Sequence, residues 1–303
     1  MHKAINVRSI LAGPTDFFLR RLGREPKMFV YVLMLAFAGL AGFAGATCDL
    51  VLSQSMAQYS TPKGYSLKNV YADWRNAQPP FKMLAPEGTC KVGDGAVYGY
   101  FPKGKISGYD TGFTWYSALP KPLLSATMSY DVYFAPGFDW AYGGKLPGFC
   151  GLDCPVGCST VSKDRGWSTR IMWRRRGGMT TYAYYPDKPK TIRCGEDWYW
   201  SNSVQSGRWH NIKLYVKVNT PGKADGITRA FLDGRLVLDK NDVMYRYRSE
   251  SSYAITRAYL TTYAGGSDVE RFAPDHDQWI KFRNFKVWEG DCDRPYGQPS
   301  PGA

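Results

Sequence analysis

The residues that could carry chemistry lie on two short segments near the middle of the chain, WSTRIMW and TYAYY. Successive side chains of a β-strand point to opposite faces, so Ser168 and Arg170 share one face of the first segment. By the same rule Tyr182 and Tyr184 share one face of the second. A hydroxyl, a guanidinium and two phenols on one sheet surface can bind an anionic group and transfer protons. The alternative interpretation is the ordinary solvated face of an antiparallel sheet, where polar and aromatic residues also alternate.

The elements that would position these residues are β-strands. Aromatic residues make up 16% of the 303 residues, and the 32 Gly and 19 Pro favour strands and turns over helices. Asp233-Gly234, between RAFL and RLVL, is a two-residue hairpin signal. Period-two alternation predicts strands over 125–134 and 211–218, and further strands are expected at about 253–262 and 280–288. The pattern therefore predicts an all-β fold, a jelly-roll β-sandwich of two antiparallel sheets, preceded by an N-terminal membrane-spanning or signal segment.

The N-terminal region has the composition of an export signal. Residues 1–27 carry six basic and two acidic side chains, and residues 28–46, MFVYVLMLAFAGLAGFAGA, carry no charge. Their length is close to the roughly 20 residues that cross a bilayer, whereas the Ala-Gly-Ala ending is typical of a signal-peptidase site, so anchor and cleaved signal both stay open. In either case the later residues are expected to be exported, as a secreted, membrane-anchored or virion-associated protein. The predicted division is a basic cytoplasmic-side tail (1–27), a signal-anchor or signal peptide (28–46), a jelly-roll domain (47–292) and a loose tail (293–303).

Seven cysteines fit an exported protein. A zinc site built from Cys150, Cys154 and Cys158 is conceivable, but their spacing is not the usual one and no histidine lies nearby. Disulfides are therefore the preferred interpretation, with the Cys150–Cys158 loop stapled internally or to Cys194. Because seven is odd, one thiol should stay free or pair between chains, and Cys48 is the candidate.

The charge of the chain indicates a polyanionic partner. Beyond residue 46 there are 33 basic and 24 acidic residues. The run Arg174, Arg175 and Arg176, close to many aromatic residues, resembles a nucleic-acid patch. The export signal argues against nucleic acid and favours an acidic polysaccharide, or a membrane through residues 28–46 if that segment is retained. A solvated basic face that keeps the protein soluble is the alternative.

At the level of motifs the chain resembles polysaccharide lyase family 14, the alginate and glucuronan lyases. The strings that carry the resemblance are YDVYFAPGFDWAYGGKLPGFCG, WSTRIMWRRRG and TYAYYP, within about residues 125–289, whereas YAGGSD near the end is more generic. The resemblance implies that the essential residues of this family fall on Lys145, Ser168, Arg170, Tyr182 and Tyr184. The three consecutive arginines and the N-terminal segment depart from the family pattern.

The resemblance also implies a reaction. Such lyases cleave a 4-linked uronic acid chain by removing the C5 proton next to the carboxylate and expelling the C4 oxygen. Arg170, supported by Ser168, would neutralise the carboxylate as charge develops. Tyr182 and Tyr184 would form the proton-transfer pair, and Lys145 would either complete the neutralisation or act as the base.

Adjacent positive charge is expected to lower the pKa of the phenols or of the amine. Arg174, Arg175 and Arg176 would contact the anionic substrate. No cofactor or metal is required, because protein cations can replace one. Two non-enzymatic alternatives remain, a silent jelly roll that binds acidic glycan in the same groove and an anchored structural protein of a cell or virion surface.

The pairing of the two chemistry-bearing strands is a further prediction. A three-residue loop, Arg176-Gly177-Gly178, would place Arg170 directly opposite Tyr184 and Met172 opposite Tyr182. In that loop Gly178 would take the left-handed backbone conformation.

Overall fold

The computed structural model describes residues 48–74, 76–78 and 88–292. All of them belong to Ala46–Ala303, one of two units into which the chain divides. The segments predicted as a basic tail (1–27), a signal or anchor (28–46) and a loose tail (293–303) lie outside the described residues. Within the described ranges no helix combines the length and the apolar character that a membrane crossing needs.

The described residues form sixteen β-strands and two short α-helices. In chain order the elements are β1 (Leu50–Gln54), β2 (Lys63–Gly64), α1 (Leu67–Asp73), β3 (Ala77–Gln78), β4 (Cys90–Gly93), β5 (Ala96–Phe101), β6 (Phe113–Leu123), β7 (Ser125–Phe134), β8 (Gly144–Gly151), β9 (Trp167–Trp173), β10 (Gly178–Tyr184), β11 (Glu196–Ser203), β12 (Trp209–Lys217), β13 (Gly226–Leu232), β14 (Arg235–Val243), β15 (Ile255–Ala264), α2 (Val269–Phe272) and β16 (Gln278–Glu289). The four predicted strands correspond to β7, β12, β15 and β16.

The strands form two antiparallel sheets, consistent with the predicted β-sandwich. The nine-stranded sheet has the order β14-β13-β12-β7-β16-β5-β4-β2, with β1 also paired to β16. The seven-stranded sheet has the order β11-β10-β9-β8-β15-β6-β3 and carries both segments with candidate chemistry, as β9 and β10.

The hydrophobic core lies between the two sheets. Tyr130, Val132 and Phe134 of β7 are fully buried there, as the alternation predicts, and they share the core cluster with Phe149 and Ile171 of the seven-stranded sheet. Truncation of one such phenylalanine to alanine would cost about 3–5 kcal/mol, since the transfer free energy is lost and a cavity is left. The other face of the seven-stranded sheet, here called the outer face, is therefore free to carry polar side chains.

The Asp233-Gly234 hairpin is confirmed. Leu232 of β13 pairs with Arg235 of β14, so the loop has two residues. Asp233 has φ 50° and Gly234 φ 80°, the left-handed pair that a type I′ turn requires.

Candidate active site

A β-bulge in β8 brings Lys145 to the outer face. In a regular strand Lys145 would share a face with Phe149, whose ring is in the core. The pairing with β9 shifts between Leu146 and Gly148, so Pro147 is the extra residue, and Lys145 pairs with Met172 while Gly148 pairs with Arg170. Proline fits a bulge because it has no N–H to donate to a neighbouring strand.

Gly148 allows the closest approach of β8 to β9. A Cβ on this residue would lie 2.1 Å from the carbonyl oxygen of Thr169 and 2.6 Å from the Cα of Arg170. Only glycine fits without moving the backbone that carries Arg170. The Lys-Leu-Pro-Gly motif thus has a geometric cause, since its bulge and its glycine place Lys145 and Arg170 on one surface.

The predicted pairing of β9 with β10 has the right face and the wrong partners. Arg170 lies opposite Tyr182, and Ser168 lies opposite Tyr184, so the pairing is displaced by two residues from the one expected. A shift of two preserves the face of every side chain. Arg170, Ser168 and both tyrosines therefore share the outer face, as predicted.

The longer loop between these strands explains the displacement. Trp173 pairs with Met179, which leaves residues 174–178 as the loop, and the Arg174 N–H donates to the Gly178 carbonyl at 2.7 Å. The left-handed residues are Arg176 (φ 58°) and Gly177 (φ 75°), whereas Gly178 has φ −56°. The prediction of a left-handed Gly178 is therefore wrong.

Lys145 is a buried amine between aromatic rings. Its Nζ lies 4.7 Å from the ring centroid of Tyr182 and 5.8 Å from that of Tyr263, and it contacts Met172 Sδ at 3.0 Å. The pKa of Lys145 is held well below its usual value, first by burial and then by the positive charges of Arg170 and Arg174. An amine in this environment loses its proton more easily than an exposed lysine does.

Arg170 is fully buried next to Lys145. Its Nη1 donates to the Tyr263 hydroxyl at 3.4 Å, and its Cζ lies 4.8 Å from the ring centroid of Tyr259. Its Nε has no hydrogen-bond partner among the described residues. A buried guanidinium with an unused N–H can still bind an anionic oxygen.

The two phenols accept hydrogen bonds from loops that cover the sheet. Gly195 N–H donates to the Tyr182 hydroxyl at 2.9 Å, and Cys158 N–H donates to the Tyr184 hydroxyl at 3.0 Å. Both rings are buried in a cluster with Met172, outside the core between the sheets. The rings therefore stay on the face that carries Arg170.

The pKa of Tyr182 is raised rather than lowered, which corrects the expectation of a phenol tuned downward by nearby cations. Burial is the largest cause and the neighbouring Tyr184 phenol is the next, whereas the opposing effect of Arg170 is smaller. Tyr182 therefore keeps its proton at neutral pH. Of Lys145 and Tyr182, only the amine of Lys145 has its pKa shifted downward, which is the direction that a base needs.

The hydroxyl group of Ser168 is already hydrogen-bonded within the protein. Its side chain is fully buried, and its Oγ donates to the Pro155 carbonyl at 2.6 Å. Its hydroxyl hydrogen thus binds the loop that crosses the outer face.

Two disulfides hold the loops that contact Ser168, Tyr182 and Tyr184. Cys150 is bonded to Cys154, and Cys158 is bonded to Cys194, so the predicted loop is stapled both internally and to Cys194. The choice of Cys48 as the odd thiol is wrong, because Cys48 is bonded to Cys292. The free thiol is Cys90, a buried residue at the start of β4. The amino-acid sequence could not show that Cys48 pairs with Cys292, because the two residues are brought together by the pairing of β1 with β16.

The three consecutive arginines separate into two groups. Arg174 forms an ion pair with Asp197 of β11, and its Cζ lies 5.6 Å from the Tyr182 ring centroid. Arg175 and Arg176 are exposed in the loop and line a different cavity. The structure thus puts Arg174 beside Tyr182 and Lys145, and Arg175 and Arg176 at a neighbouring cavity.

Three residues at the site were missed by the sequence reasoning, namely Tyr259, Tyr263 and Asp197. Tyr263 pairs with Lys145 across β15 and β8, and it begins the YAGGSD string that was treated as generic. Alternation along β15 could have shown that Tyr259 and Tyr263 share a face. No local signal marks Asp197, because its relation to Arg174 depends on the pairing of β10 with β11. The described residues contain no cluster of three or more His, Cys, Asp or Glu side chains suited to a metal ion.

Comparisons with solved structures agree with this fold. The alginate lyase Aly36B is 24% identical, with a TM-score of 0.69, and the match covers 80% of this chain and 97% of that one. The alginate lyase from Aplysia kurodai is 24% identical, with a TM-score of 0.64, over 80% of this chain and 99% of that one. The alginate lyase vAL-1 from Chlorella virus is 20% identical, with a TM-score of 0.63, over 80% of this chain and 100% of that one.

Sequence comparison identifies the family. Exolysin of Paramecium bursaria Chlorella virus 1 is 26% identical over an alignment 193 residues long, and the match covers 54% of this chain and 29% of that protein. The chain therefore spans less than a third of the length of this relative. The family model for polysaccharide lyase 14 matches residues 93–285, which include every predicted site residue. The predicted resemblance is confirmed, and the chain belongs to the polysaccharide lyase 14 family.

Proposed function

We propose that this chain is a lyase that cleaves a 4-linked polyuronate, of the alginate or glucuronan type, by β-elimination. The observation that carries the proposal is the buried amine of Lys145, whose pKa is lowered, beside the buried guanidinium of Arg170 and the protonated phenol of Tyr182. These groups supply a base, a cation and a proton donor on one surface. Membership of a lyase family supports the same reaction.

Lys145 acts as the base. Its neutral amine takes the proton from C5 of the uronate unit, and the electron pair of that C–H bond becomes the new C4–C5 double bond. Burial and the charges of Arg170 and Arg174 increase the neutral fraction of the amine at neutral pH. Its Nζ lies 4.7 Å from the centroid of the Tyr182 ring, so the proposed base and acid are neighbours on the outer face.

Arg170 binds the carboxylate next to C5. Negative charge grows on this carboxylate as the proton leaves, so a fixed cation lowers the barrier. Nε is the N–H that the described residues leave unused, and Nη1 is oriented by Tyr263. The guanidinium is therefore prepared for the charge before substrate arrives.

Tyr182 acts as the acid. Its raised pKa keeps the hydroxyl protonated, and this proton passes to the C4 oxygen as the C4–O bond breaks. The proton on Lys145 can then return to the phenolate, which restores both groups. Tyr184 and Ser168, each bonded to the loop that carries Cys158, hold the surface in place.

An acidic polysaccharide is the proposed partner, and the outside of the cell is the proposed location. Structures of Aly36B variants hold an alginate tetrasaccharide and an alginate trisaccharide, which supports a uronate ligand for this fold. Three disulfides fit an oxidising compartment. The signal or anchor over residues 28–46, the jelly-roll topology and an association with a virion stay part of this proposal.

The test is product formation on separate polymers. The chain is incubated with polymannuronate, polyguluronate and polyglucuronate, and the unsaturated product is followed by its ultraviolet absorbance. The Lys145→Ala variant is the catalytic control, and binding of each polymer is measured in parallel. Absorbance that grows only with Lys145 present supports the lyase. Binding without product on any uronan would support the non-catalytic glycan binder instead.

A further inference from the structure

We propose that a cavity beside the Lys145 surface is a second uronate-binding site, which holds the polysaccharide chain beyond the bond that is cleaved. The cavity has a volume of about 540 Å³, within the range of small-molecule binding sites. Its location relative to the cleaved bond rests on the proposed function. Its ability to bind uronates does not, and can be measured separately.

Aromatic and cationic side chains line this cavity together. Trp140 and Tyr142 lie on one side, and Arg175, Arg176 and Arg271 contribute three guanidinium groups. The Cζ of Arg175 lies 3.5 Å from the centroid of the Tyr142 ring. Because Arg175 covers this face of Tyr142, the partly exposed Trp140 is the ring on which a sugar can pack while its carboxylate binds a guanidinium, so this combination suits an acidic saccharide.

Two of these arginines are available to a ligand. Within the described ranges Arg175 and Arg176 have no ion pair, whereas Arg271 pairs with Asp268. Asp139, on the cavity wall, accepts the N–H groups of Ala141 and Asp275, so its role is to hold the loop. Of the other carboxylates on the wall, Asp275 pairs with His276, and Glu270 can accept sugar hydroxyl groups.

The backbone holds the two arginines in place. Arg176 (φ 58°) and Gly177 (φ 75°) are both left-handed, a conformation that is uncommon for arginine. A Cβ on Gly177 would lie 2.1 Å from the Val204 carbonyl oxygen, so the loop is packed closely against its neighbour. Arg175 and Arg176 therefore project from a fixed turn.

The cavity is adjacent to the proposed cleavage site along two chain segments. Tyr142 precedes Lys145 by three residues, which span at most about 11 Å in an extended chain. Arg174, which contacts the Tyr182 ring, is followed directly by Arg175. A uronate oligomer bound at Lys145 is thus able to reach the cavity with its later units.

The test measures affinity against oligomer length. Calorimetry is carried out in the Lys145→Ala background with alginate oligosaccharides of increasing length and with a neutral glucan. Arg175→Ala/Arg176→Ala is compared with Arg208→Ala/Arg235→Ala, which removes the same charge from the turn before β12 and from the start of β14. Thermal melts establish that both double variants are folded.

Loss of the two guanidinium groups should weaken the longest oligomers about tenfold, since each offers a charge-assisted hydrogen bond, while the shortest change less than twofold. The control pair should change neither. An equal loss at every length, no loss at any length, or equal affinity for the neutral glucan would overturn the proposal. If the lyase assay fails but affinity still depends on oligomer length in this way, only the proposed reaction is contradicted and the second binding site is supported.

Discussion

The two ends of the outer face satisfy their polar groups in different ways. At the disulfide end (Ser168, Tyr184, Cys158 and Cys194), the hydroxyl groups of the two sheet residues are hydrogen-bonded to the backbone of a loop held by the disulfide. At the lysine end (Lys145, Arg170, Met172 and Tyr263), the amine contacts a weak thioether acceptor and aromatic rings, and the Nε–H of the guanidinium has no hydrogen-bond partner in the part of the chain that the structure describes.

This difference separates positioning from reaction. Polar groups that the protein already pairs are fixed in place and cost little to keep buried. Groups left without strong partners keep their binding capacity, and the lowered pKa of Lys145 suits proton transfer. In the proposed reaction the disulfide end therefore orients the surface, and the lysine end is the part at which the substrate would react.

The largest effect is expected from Lys145→Ala. Removal of the base should lower kcat by about 10²- to 10⁴-fold, while polymer binding persists through Arg170 and Arg174. The rate of unsaturated-product formation and the binding affinity are measured together. Lys217→Ala, an exposed lysine of β12 in the other sheet, is the matched control. A Lys145→Ala enzyme with near-normal kcat would assign the base to another residue.

The next effect tests the disulfide end. Cys158→Ser/Cys194→Ser should lower kcat about tenfold, because the loops that donate to Tyr182 and Tyr184 lose their tether. Cys48→Ser/Cys292→Ser is the control, because that disulfide joins the residues next to β1 and β16, which belong to the other sheet. Activity and thermal unfolding are measured for both.

The two disulfide variants should rank in one order for loss of activity and in the opposite order for loss of stability. Cys48–Cys292 spans 244 residues of sequence and Cys158–Cys194 spans 36, so chain entropy predicts that the first contributes about 1.7 kcal/mol more. The variant with lower activity should thus be the more stable one. If activity simply followed the melting temperature, the positioning role would be lost.

A smaller effect is expected on the pH profile. Because Lys145 must be neutral, activity should rise with pH through its lowered pKa. Arg174 lowers that pKa and Asp197 raises it. Arg174→Gln should therefore move the acidic limb of the kcat profile to higher pH, and Asp197→Asn should move it to lower pH. Shifts of the same sign in both variants would contradict Lys145 as the titrating base.

The smallest effect on turnover should come from salt. A basic groove attracts a polyanion partly by releasing counterions, so KM should rise with ionic strength while kcat stays nearly constant. The buried Lys145 and Arg170 are screened less than the exposed Arg175 and Arg176. A kcat that falls as steeply as the affinity would mean that the lysine end is open to solvent ions.

Sequence reasoning was most successful where a local pattern has one geometric consequence. Alternation in β7 and β12 predicted which side chains enter the core, and Asp233-Gly234 predicted a left-handed hairpin turn. The same rule put Arg170 and both tyrosines on one face. It could not give the partners across β9 and β10, because a loop containing two glycines can close with three residues or five.

The amino-acid sequence by itself determined the sheet faces, the hairpin, the family motifs and the presence of enough cysteines for disulfides, because each depends on neighbours along the chain. Only the tertiary structure decided that the bulge at Pro147 turns Lys145 outward, that Cys90 is the free thiol, and that burial lowers the pKa of Lys145 but raises that of Tyr182. These properties depend on strand register and on solvent exclusion, which arise when segments far apart in sequence pack together.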